Sequence, residues 1–368
     1  MSTKKDIIVG MSGGVDSTVA VYLLQQQGYN VLGVTLQLAD HYIKNKSKQS
    51  GVIEKAKAVC EKFGIEHVVA DQTALFDTCV VNYFADAYLS GNTPNPCIQC
   101  NLLLKWDSLL KIADERGIKK IATGHYAKVI KEGKRYSLYK GEDRIKDQSY
   151  FLWRLTQEQL SRTIFPLGDI TKEEIKKIAK DLALPQSNQM ESQDVCFIPD
   201  NDYKVFLKEY FPNKLNEIKK GNFVDKDGQI LGHHDGYYRF TIGQRKGLGL
   251  AMGEPVYVRE IHPASNTVVI AQAIDMEDIG CTVTEMNWLD GDIPQEMKEI
   301  QVKVRYRNKG VQAWLEPLEN GKYHVLFSEP VYAVTPGQSA VFYNGNKVLG
   351  GGVILSHAQE SEKNEKDR

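Results

Sequence analysis

The chain has 368 residues, enough for two or three domains that each bury a core. Hydrophobic residues make up 42% and charged residues 25%, which is typical of a soluble globular protein. Since no apolar stretch is long enough to span a bilayer, we expect a cytoplasmic protein without a membrane partner. The formal net charge of -1 gives no general attraction to nucleic acids, so binding to RNA would require a local basic surface.

The first feature along the chain is a glycine-rich segment, Gly10–Ser17, which follows the apolar run Ile7–Val9 and precedes a predicted helix. An apolar run bounded by glycine is typical of a buried parallel strand. Because Gly13 and Gly14 lack a Cβ, backbone amides there can approach a large anion at the positive helix N-terminus. The segment therefore predicts a phosphate-binding loop rather than an ordinary strand-to-helix turn. It lacks the Gly-Lys-Ser/Thr ending of a kinase-type loop, and Asp16 is either a magnesium ligand or a helix-start residue.

Strands and helices alternate after this loop. The predicted strands are 31–36, 67–69 and 120–122, and the predicted helices are about 51–63, 75–90 and 102–116. Such alternation predicts an open parallel sheet covered by helices, with ligands at the carboxyl ends of the strands. We therefore expect Gly124 and His125 to lie near the phosphate loop, although His125 is equally well explained as a capping or packed residue.

The next stretch carries shorter local signals. Gly133 marks the turn of a predicted hairpin, and Thr171 with Glu174 forms a capping box that opens a helix. Residues 186–199 predict a polar loop and residues 202–210 a further helix.

From Gly221 onward the chain changes to short β-like runs separated by Gly, Pro, Asn and Asp, which predicts a small β-rich module followed by a barrel or sandwich. The runs are 256–260, 267–271, 300–306, 323–327 and 339–343. We predict an α/β domain over residues 1–202, a central β-rich domain over 203–273, a C-terminal β-barrel over 274–357 and a disordered tail over 358–368.

Three of the six cysteines are candidates for one site. Cys97 and Cys100 form a Cys-x-x-Cys in a proline-stiffened loop just before a predicted helix, whose N-terminus would favour the thiolates. Cys196 is distant in sequence but also lies beside a predicted loop. The pattern is compatible with a redox pair, half a zinc site or part of an iron–sulfur site, and no fourth Cys or His for zinc is evident in the motif.

A basic stretch lies in the β-rich part of the chain. If Lys303–Lys309 is extended, alternation places Lys303, Arg305, Arg307 and Lys309 on one face. Such a stripe suits a phosphate backbone, although a solvated barrel face is the simpler interpretation of this stretch alone. The glycine-rich basic loop Gly243–Gly249 favours nucleic acid.

Seven motifs, in the same order along the chain, resemble those of the tRNA-specific 2-thiouridylases. They are Gly-Met-Ser-Gly-Gly-Val-Asp-Ser at 10–17, Gly-Asn-Thr-Pro-Asn-Pro at 91–96, Ala-Thr-Gly-His-Tyr at 122–126, Lys-Asp-Gln-Ser-Tyr-Phe-Leu at 146–152, Cys-Phe-Ile at 196–198, Gly-Gln-Arg-Lys-Gly-Leu-Gly at 243–249 and Thr-Pro-Gly-Gln-Ser-Ala-Val-Phe-Tyr at 335–343. The phosphate loop alone also resembles argininosuccinate and GMP synthetases, but the loop cysteines and the C-terminal motifs make the resemblance specific.

This resemblance implies an ATP pyrophosphatase-type domain, a small central domain and a C-terminal β-barrel that act together on lysine, glutamate and glutamine tRNAs. It implies that ATP, with Mg²⁺, adenylates the C2 oxygen of the wobble uridine and that sulfur then displaces AMP. The sulfur would come from a relay protein or from sulfide. Cys196 would carry the persulfide received from the relay, and Cys100 would be the second thiol, which attacks that persulfide to release sulfide or closes a disulfide on it.

The resemblance also implies roles for individual residues. Those implied to bind ATP are Gly10, Met11, Ser12, Gly13, Gly14, Val15, Asp16, Ser17, Leu36 and Gly124. Those implied to contact the target base or the rest of the tRNA are Asn95, Pro96, Cys97, His125, Lys146, Asp147, Gln148, Arg305, Tyr306 and Gln338.

One departure from the family pattern concerns the cysteines. Cys97 stands where the family has Asp, and a thiolate does not replace a carboxylate as an oxygen ligand or as an acceptor that orients a base. We therefore hypothesise an iron–sulfur cluster on Cys97, Cys100 and Cys196 as an alternative to persulfide chemistry. Two other functions fit less of the sequence: another ATP pyrophosphatase that adenylates a small molecule, and a tRNA-binding or iron–sulfur protein without turnover.

Overall fold

A computed structural model of the protein describes residues 5–39, 42, 46–184, 195–198 and 201–358. The predicted polar loop at 186–199 lies mostly outside these ranges, and so does the predicted tail beyond residue 358. The helices are α1 Val15–Gln26, α2 Lys46–Phe63, α3 Thr73–Phe76, α4 Asn82–Leu89, α5 Pro96–Cys100, α6 Asp107–Glu115, α7 Gln157–Arg162, α8 Lys172–Asp181, α9 Tyr203–Tyr210 and α10 Pro212–Leu215. The strands are β1 Lys5–Gly10, β2 Tyr29–Gln37, β3 Glu66–Asp71, β4 Ile121–Ala122, β5 Ala127–Glu132, β6 Arg135–Lys140, β7 Thr163–Ile164, β8 Gly221–Val224, β9 Ile230–His234, β10 Tyr257–His262, β11 Thr267–Ala271, β12 Glu277–Trp288, β13 Lys298–Lys303, β14 Val311–Pro317, β15 Tyr323–Tyr332, β16 Ser339–Asn344 and β17 Lys347–Ala358.

The described residues form two compact units. The first takes its residues from Met1–Val81, Pro96–Asn201 and Asn346–Val348, and the second from Asn82–Asn95, Asp202–Gly345 and Leu349–Arg368. The chain therefore leaves the first unit at Asn82 and returns to it at Pro96. None of the helices in the described ranges is both long and apolar enough to cross a membrane.

The first unit is built on a five-stranded sheet in the order β3-β2-β1-β4-β7, in which every pairing is parallel. Ile7, Ile8 and Val9 of β1 are completely buried, as expected for a central strand covered on both faces. One core cluster joins β1 to α1 and α2, and another joins α1 to α8. The predicted open parallel sheet is thus confirmed.

Short-range signals in this unit also produce the predicted elements. β5 and β6 form a hairpin that turns at Gly133, and β6 pairs with Lys347 and Val348 at the start of β17. The Thr171 side chain accepts from the Glu174 backbone, and the Glu174 side chain accepts from the Thr171 backbone, so the predicted capping box opens α8.

The second unit contains two β structures. A four-stranded sheet has the order β10-β11-β8-β9. The remaining six strands run β12-β15-β14-β13-β16-β17, and β12 pairs with β17, so the sheet closes into a barrel. The interior of the barrel is filled by aliphatic and aromatic side chains from all six strands. The predicted C-terminal β-barrel is confirmed.

The predicted basic strand is wrong beyond Lys303, where β13 ends. Val304 is buried, and the chain then turns, with the Asn308 amide donating to the Arg305 carbonyl. Strand alternation therefore does not extend over Lys303–Lys309, and its four cations do not line one strand face. The sequence suggested a strand because an apolar residue alternates with a basic one, which a turn after a strand end can equally show.

Candidate active site

The glycine-rich segment joins β1 to α1, as predicted. Gly14 is the N-cap of α1 and supplies no side-chain cap, so the first amides of this 12-residue helix have no partner from the cap. The loop is held instead by hydroxyls: Ser17 Oγ accepts from the Ser12 amide at 3.3 Å and donates to the Gly14 carbonyl at 3.2 Å. An ordered loop that ends in uncapped helix amides is suited to bind phosphate oxygens.

Gly13 is required at its position in the loop. Its φ is +69°, and a Cβ there would lie 2.8 Å from the Val52 carbonyl oxygen and 3.0 Å from Lys55 Cβ, both on α2. Any larger residue would therefore push the loop away from α2 and displace the amides.

Asp16, in the first turn of α1, accepts hydrogen bonds from two side chains that surround it. Its Oδ1 accepts from Lys172 Nζ at 2.6 Å and from the Tyr126 hydroxyl at 2.7 Å. The Lys172 side chain is 10% exposed and that of Asp16 is 34% exposed, so the ammonium end of this ion pair is buried while the carboxylate remains accessible. Gly124 is close as predicted, since a Cβ on it would lie 3.0 Å from the backbone of Asp16 and Ser17.

The Cys-x-x-Cys lies within a helix rather than in a loop before one, which corrects the prediction. Helix α5 begins at Pro96, and the helical path continues through a π-helical stretch, Asn101–Trp106, into α6. Proline is favoured in the first turn of a helix because its missing N–H is not needed there. Cys97 is exposed and Cys100 is buried.

The structure brings Cys196 to the other two cysteines. Cys196 is exposed, and the neighbouring Phe197 is buried against Phe76, with ring centroids 5.5 Å apart. The three cysteines are free thiols, and they are close enough for a charge on Cys100 or Cys97 to raise the pKa of Cys196. Among the described residues, no three His, Cys, Asp or Glu side chains are arranged to hold a single metal ion.

All three thiols are protonated near neutral pH in this arrangement. Burial raises the pKa of Cys97 and of Cys100, and burial together with the neighbouring cysteines raises the pKa of Cys196 to about 12. Cys97 and Cys196 are thus reachable from solvent while surrounded closely enough by protein to be poorly solvated. The effect of burial on these pKa values is therefore larger than the expected stabilisation of the thiolates by a helix N-terminus.

One positive charge, which no sequence motif indicated, opposes this rise in the thiol pKa values. The ammonium group of Lys105 lowers the pKa of each of the three thiols. Burial acts to lower the pKa of Lys105, but the thiolates of Cys100, Cys97 and Cys196 outweigh it and the pKa is raised. Lys105 Nζ donates to Asn101 Oδ1 at 3.0 Å, and Asn101 Nδ2 donates to the Phe151 carbonyl at 3.0 Å, so the cation is held in place.

His125 is a neutral residue beside this cluster. Burial, and then the charge of Lys105, lower the pKa of His125 to about 3. Its Nδ1 is 2.8 Å from Thr123 Oγ1, and its ring packs against Trp106 and Phe165. His125 is therefore an uncharged, packed histidine, one of the two roles expected for it from the sequence.

The other residues implied to contact tRNA in the first unit differ in accessibility. Asp147 is 5% exposed, and its carboxylate accepts from the amides of Gly141 and Ser149 and from the Ser149 hydroxyl. Gln148 Oε1 accepts from the Tyr126 amide at 3.1 Å. These contacts shape the segment that presents Lys146, whose side chain is partly exposed, whereas the side chain of Asp147 is taken up by bonds within the protein.

In the second unit, the residues implied to contact tRNA also hold parts of the protein together. Arg305 donates to the Ala333 carbonyl at 2.7 Å and to the Thr335 hydroxyl, while Tyr306 follows it in the turn after β13. Gln338 Nε2 donates to the Thr93 carbonyl at 2.8 Å, two residues before Asn95. The segment Asn82–Asn95 belongs to this unit, which local sequence patterns did not indicate.

Comparison with known proteins adds relatives that match along almost the whole chain. Three family models match in succession: the tRNA methyl transferase HUP domain over residues 5–200, the tRNA methyl transferase PRC-barrel domain over 204–272 and the aminomethyltransferase beta-barrel domain over 279–354. A tRNA-specific 2-thiouridylase MnmA of Clostridium perfringens is 43% identical over 359 residues, 96% of this chain and 99% of the relative. Proteins of the same name from Carboxydothermus hydrogenoformans, 45% identical over 95% of this chain and 98% of the relative, and from Clostridium botulinum, 44% identical over 96% and 98%, are similarly close.

Proposed function

The chain belongs to the tRNA-specific 2-thiouridylase family, and on this premise we propose that it is an ATP-dependent sulfurtransferase that converts the wobble uridine of tRNA to 2-thiouridine. The observation that supports the proposal most is that one unit carries both an uncapped, phosphate-suited helix N-terminus and three mutually interacting thiols around a lysine. These are the parts that adenylation and sulfur transfer require. The family-model descriptions refer to methyl transfer, but the full-length relatives are named for thiolation.

The proposed first step is adenylation of the uridine. The loop Gly10–Ser17, with Leu36 and Gly124, holds ATP, and the C2 oxygen attacks the α-phosphorus with loss of pyrophosphate. Without adenylation the oxygen would leave as hydroxide, whose conjugate acid, water, has a pKa of about 15.7. After adenylation it leaves as part of a phosphate monoester, whose conjugate acid has a pKa of about 6, so it is a much better leaving group. Mg²⁺ would supply charge neutralisation on the phosphates, and Asp16, the one carboxylate of this loop, would hold it through the oxygen that does not accept from Lys172 and Tyr126.

The proposed second step transfers sulfur. A persulfide on Cys196, formed when a relay protein passes on the outer sulfur of its own persulfide and departs as a thiol, attacks C2 and AMP leaves. The Cys100 thiolate then attacks Cys196 Sγ, which releases 2-thiouridine and leaves a Cys100–Cys196 disulfide that a thiol reductant must reduce; alternatively, Cys100 releases sulfide from the persulfide before the attack. Lys105 favours the thiolates that both routes need. Free sulfide would instead attack the adenylated C2 directly.

A second candidate for the sulfur chemistry is an iron–sulfur cluster on Cys97, Cys100 and Cys196. The observation in its favour is that Cys97, a cysteine in place of the family Asp, interacts electrostatically with both other thiols. Cysteine thiolates are the usual ligands of such clusters. Iron and acid-labile sulfide measured on anaerobically purified protein, with Cys97→Asp as the comparison, separate this chemistry from the persulfide route.

For the tRNA we propose lysine, glutamate and glutamine acceptors. Asn95, Pro96 and Cys97 would surround the target base, and His125, Lys146, Asp147, Gln148, Arg305, Tyr306 and Gln338 would contact the rest of the tRNA or shape the surface that does. The domain boundaries proposed for this activity are those given above, at residues 202, 273 and 357.

Cys196→Ser tests the separation of the two steps. The variant should still release pyrophosphate in a tRNA-dependent single turnover but should form no 2-thiouridine. Cys79→Ser, which changes a cysteine outside the cluster, should retain both. Loss of pyrophosphate release in Cys196→Ser would show that the roles are not separate. Pyrophosphate release that is unchanged without tRNA would support a small-molecule synthetase, and tRNA binding without any release would support a protein without turnover.

A further inference from the structure

The segment Asn92–Asn95 sets where the Cys-x-x-Cys helix begins. It follows α4, belongs to the second unit, and is joined directly to Pro96, the first residue of α5 in the first unit. Pro94 and Pro96 have no backbone N–H, so the segment has few donors with which to fix itself. The Asn92 amide donates to the Ala87 carbonyl of α4 at 2.9 Å, and the position of the residues after Asn92 depends on contacts from outside the segment.

The residues that fix it lie in the turn Pro336–Gln338, between β15 and β16. The Thr93 amide donates to the Pro336 carbonyl at 3.0 Å. Gln338 Nε2 donates to the Thr93 carbonyl at 2.8 Å and to the Pro94 carbonyl at 3.3 Å. One side-chain amide thus serves two successive carbonyls of the proline-rich segment.

The turn also presses closely on the segment. Gly337 has φ of +87°, and a Cβ there would lie 3.0 Å from Asn92 Cβ and from the Thr93 carbonyl oxygen. The Gly337 amide donates to the Ile354 carbonyl at 2.9 Å, and the Ile354 amide donates to the Gln338 carbonyl at 2.8 Å. The turn is therefore anchored to β17 and can act as a fixed support.

Arg305 supports the turn from its other end. Its guanidinium group donates to the Ala333 carbonyl and to Thr335 Oγ1, and the Gln338 amide donates to the Thr335 carbonyl at 3.2 Å. Two residues that the sequence resemblance associates with tRNA, Arg305 and Gln338, are thus connected through Thr335 to the segment before Pro96.

We infer that Gln338 is a positioning residue: the turn Pro336–Gln338 clasps Thr93 and Pro94 and so sets the position of Asn95, Pro96 and the helix that carries Cys97 and Cys100. The effect of this clasp on thiolation rests on the proposed function, whereas its effect on the segment does not. It is additional to any contact between Gln338 and tRNA, and it predicts a different pattern of defects.

The test combines hydrogen exchange with kinetics on the full-length protein. Gln338→Ala removes the donor, and Gln338→Glu keeps the shape but places an acceptor beside two carbonyls. Without ATP or tRNA, exchange of the peptide spanning residues 90–98 should accelerate on the order of fivefold in both variants, the factor that corresponds to loss of a typical hydrogen bond. Gln312→Ala, at an exposed position on β14 of the same barrel, should leave that exchange unchanged.

The kinetic arm distinguishes positioning from tRNA contact. If the clasp positions the helix, kcat for thiolation at saturating tRNA should fall on the order of tenfold in the Gln338 variants, because reacting groups are misplaced. Loss of a direct contact with tRNA would appear separately, in the Kd. Unchanged exchange at residues 90–98 in both Gln338 variants, with a weakened Kd for tRNA, would overturn the inference and leave direct contact as the role. If wild-type protein forms no 2-thiouridine, the proposed function fails, and the exchange experiment still decides the clasp.

Discussion

The thiol of Cys196 should react slowly with alkylating reagents in the resting protein. Its pKa of about 12 lies three units above 9.0, the value for an unperturbed cysteine, because of burial and the neighbouring thiols. Near pH 8 this lowers the thiolate fraction about a thousandfold relative to an ordinary cysteine. A more basic thiolate is also more nucleophilic, which raises its rate constant about twentyfold and offsets part of this loss. Alkylation of Cys196 should therefore be about 50-fold slower than in the unfolded chain, rising about tenfold per pH unit without a plateau up to about pH 10.

Lys105→Gln is the perturbation that tests the cause of these values. A nearby cation lowers the pKa of a thiol by stabilising the thiolate and lowers the pKa of an imidazole by opposing a second positive charge. Its removal should therefore slow alkylation of Cys97, Cys100 and Cys196 still further and should raise the pKa of His125 from about 3. The assay is iodoacetamide labelling at several pH values, resolved by peptide mass spectrometry, with the His125 ring proton followed by NMR.

Two control variants separate charge from packing. Lys105→Arg keeps the charge and should retain the wild-type labelling profile, while Lys111→Gln, at an exposed position on α6, should change nothing. A labelling plateau of Cys196 near pH 9 would contradict the raised pKa. Faster labelling of the three cysteines in Lys105→Gln would contradict the role of the lysine charge, and so would a variant in which neither the labelling rates nor the pKa of His125 changed.

Two further predictions concern the phosphate loop and the barrel. Gly13→Ala should raise the Kd for ATP on the order of tenfold or more in calorimetry, because its Cβ would meet α2 and displace the loop amides; Gly64→Ala, with a similar φ of +62° but nothing within 4 Å of the new Cβ, is the control for backbone strain and should bind ATP normally. Arg259→Ala leaves the buried Asp278 without its 2.6 Å partner, and should lower the free energy of unfolding in urea by about 3–5 kcal/mol. In this variant the described partners left to the Asp278 carboxylate are the Val334 amide at 3.1 Å and the His357 imidazole at 3.5 Å. Burial already raises the pKa of Asp278, so protonation relieves the poorly compensated charge and the loss should be smaller near pH 4 than near pH 7; an equal loss at both pH values would contradict this explanation.

Features that depend on neighbouring residues were predictable from the sequence. The phosphate loop, the capping box at Thr171, the hairpin turn at Gly133 and the helix α9 all follow from backbone preferences within a few residues. The convergence of Gly124 on the loop was also predictable, because the carboxyl ends of adjacent parallel strands meet at one edge.

Features set by distant contacts were not predictable in this way. The end of β13 at Lys303 accompanies burial of Val304 and anchoring of Arg305, neither of which a period-two pattern records. Residues 82–95 read as part of the α/β alternation, yet they pack with the second unit, for example through Tyr88 stacked on Tyr203 at 4.3 Å. Only the packed fold provides these partners.

Lys105 was missed for a more local reason. It lies four residues after Asn101 and eight after Cys97, the spacing of one helix face, but this relation is visible only if the helix begins at Pro96. Because the cysteines were predicted to lie in a loop, no later residue was expected to share a helix face with them. A proline directly before the first cysteine, at a favoured first position of a helix, was the signal that could have identified it.

The central claim is tested most directly by anaerobic incubation of the purified protein with ATP, Mg²⁺, unmodified tRNA and, in parallel reactions, polysulfide or sulfide as the sulfur source. Mass spectrometry of the tRNA nucleosides and measurement of protein-bound iron follow. With polysulfide, which can transfer a sulfur atom to the Cys196 thiol, we predict 2-thiouridine at the wobble position that requires ATP and is absent with Cys196→Ser. A yield that tracks iron content would favour the cluster. A yield from iron-free protein would favour persulfide chemistry if it requires polysulfide, and direct attack by sulfide if it does not. Absence of 2-thiouridine from folded, ATP-binding protein, with or without iron, would contradict the account.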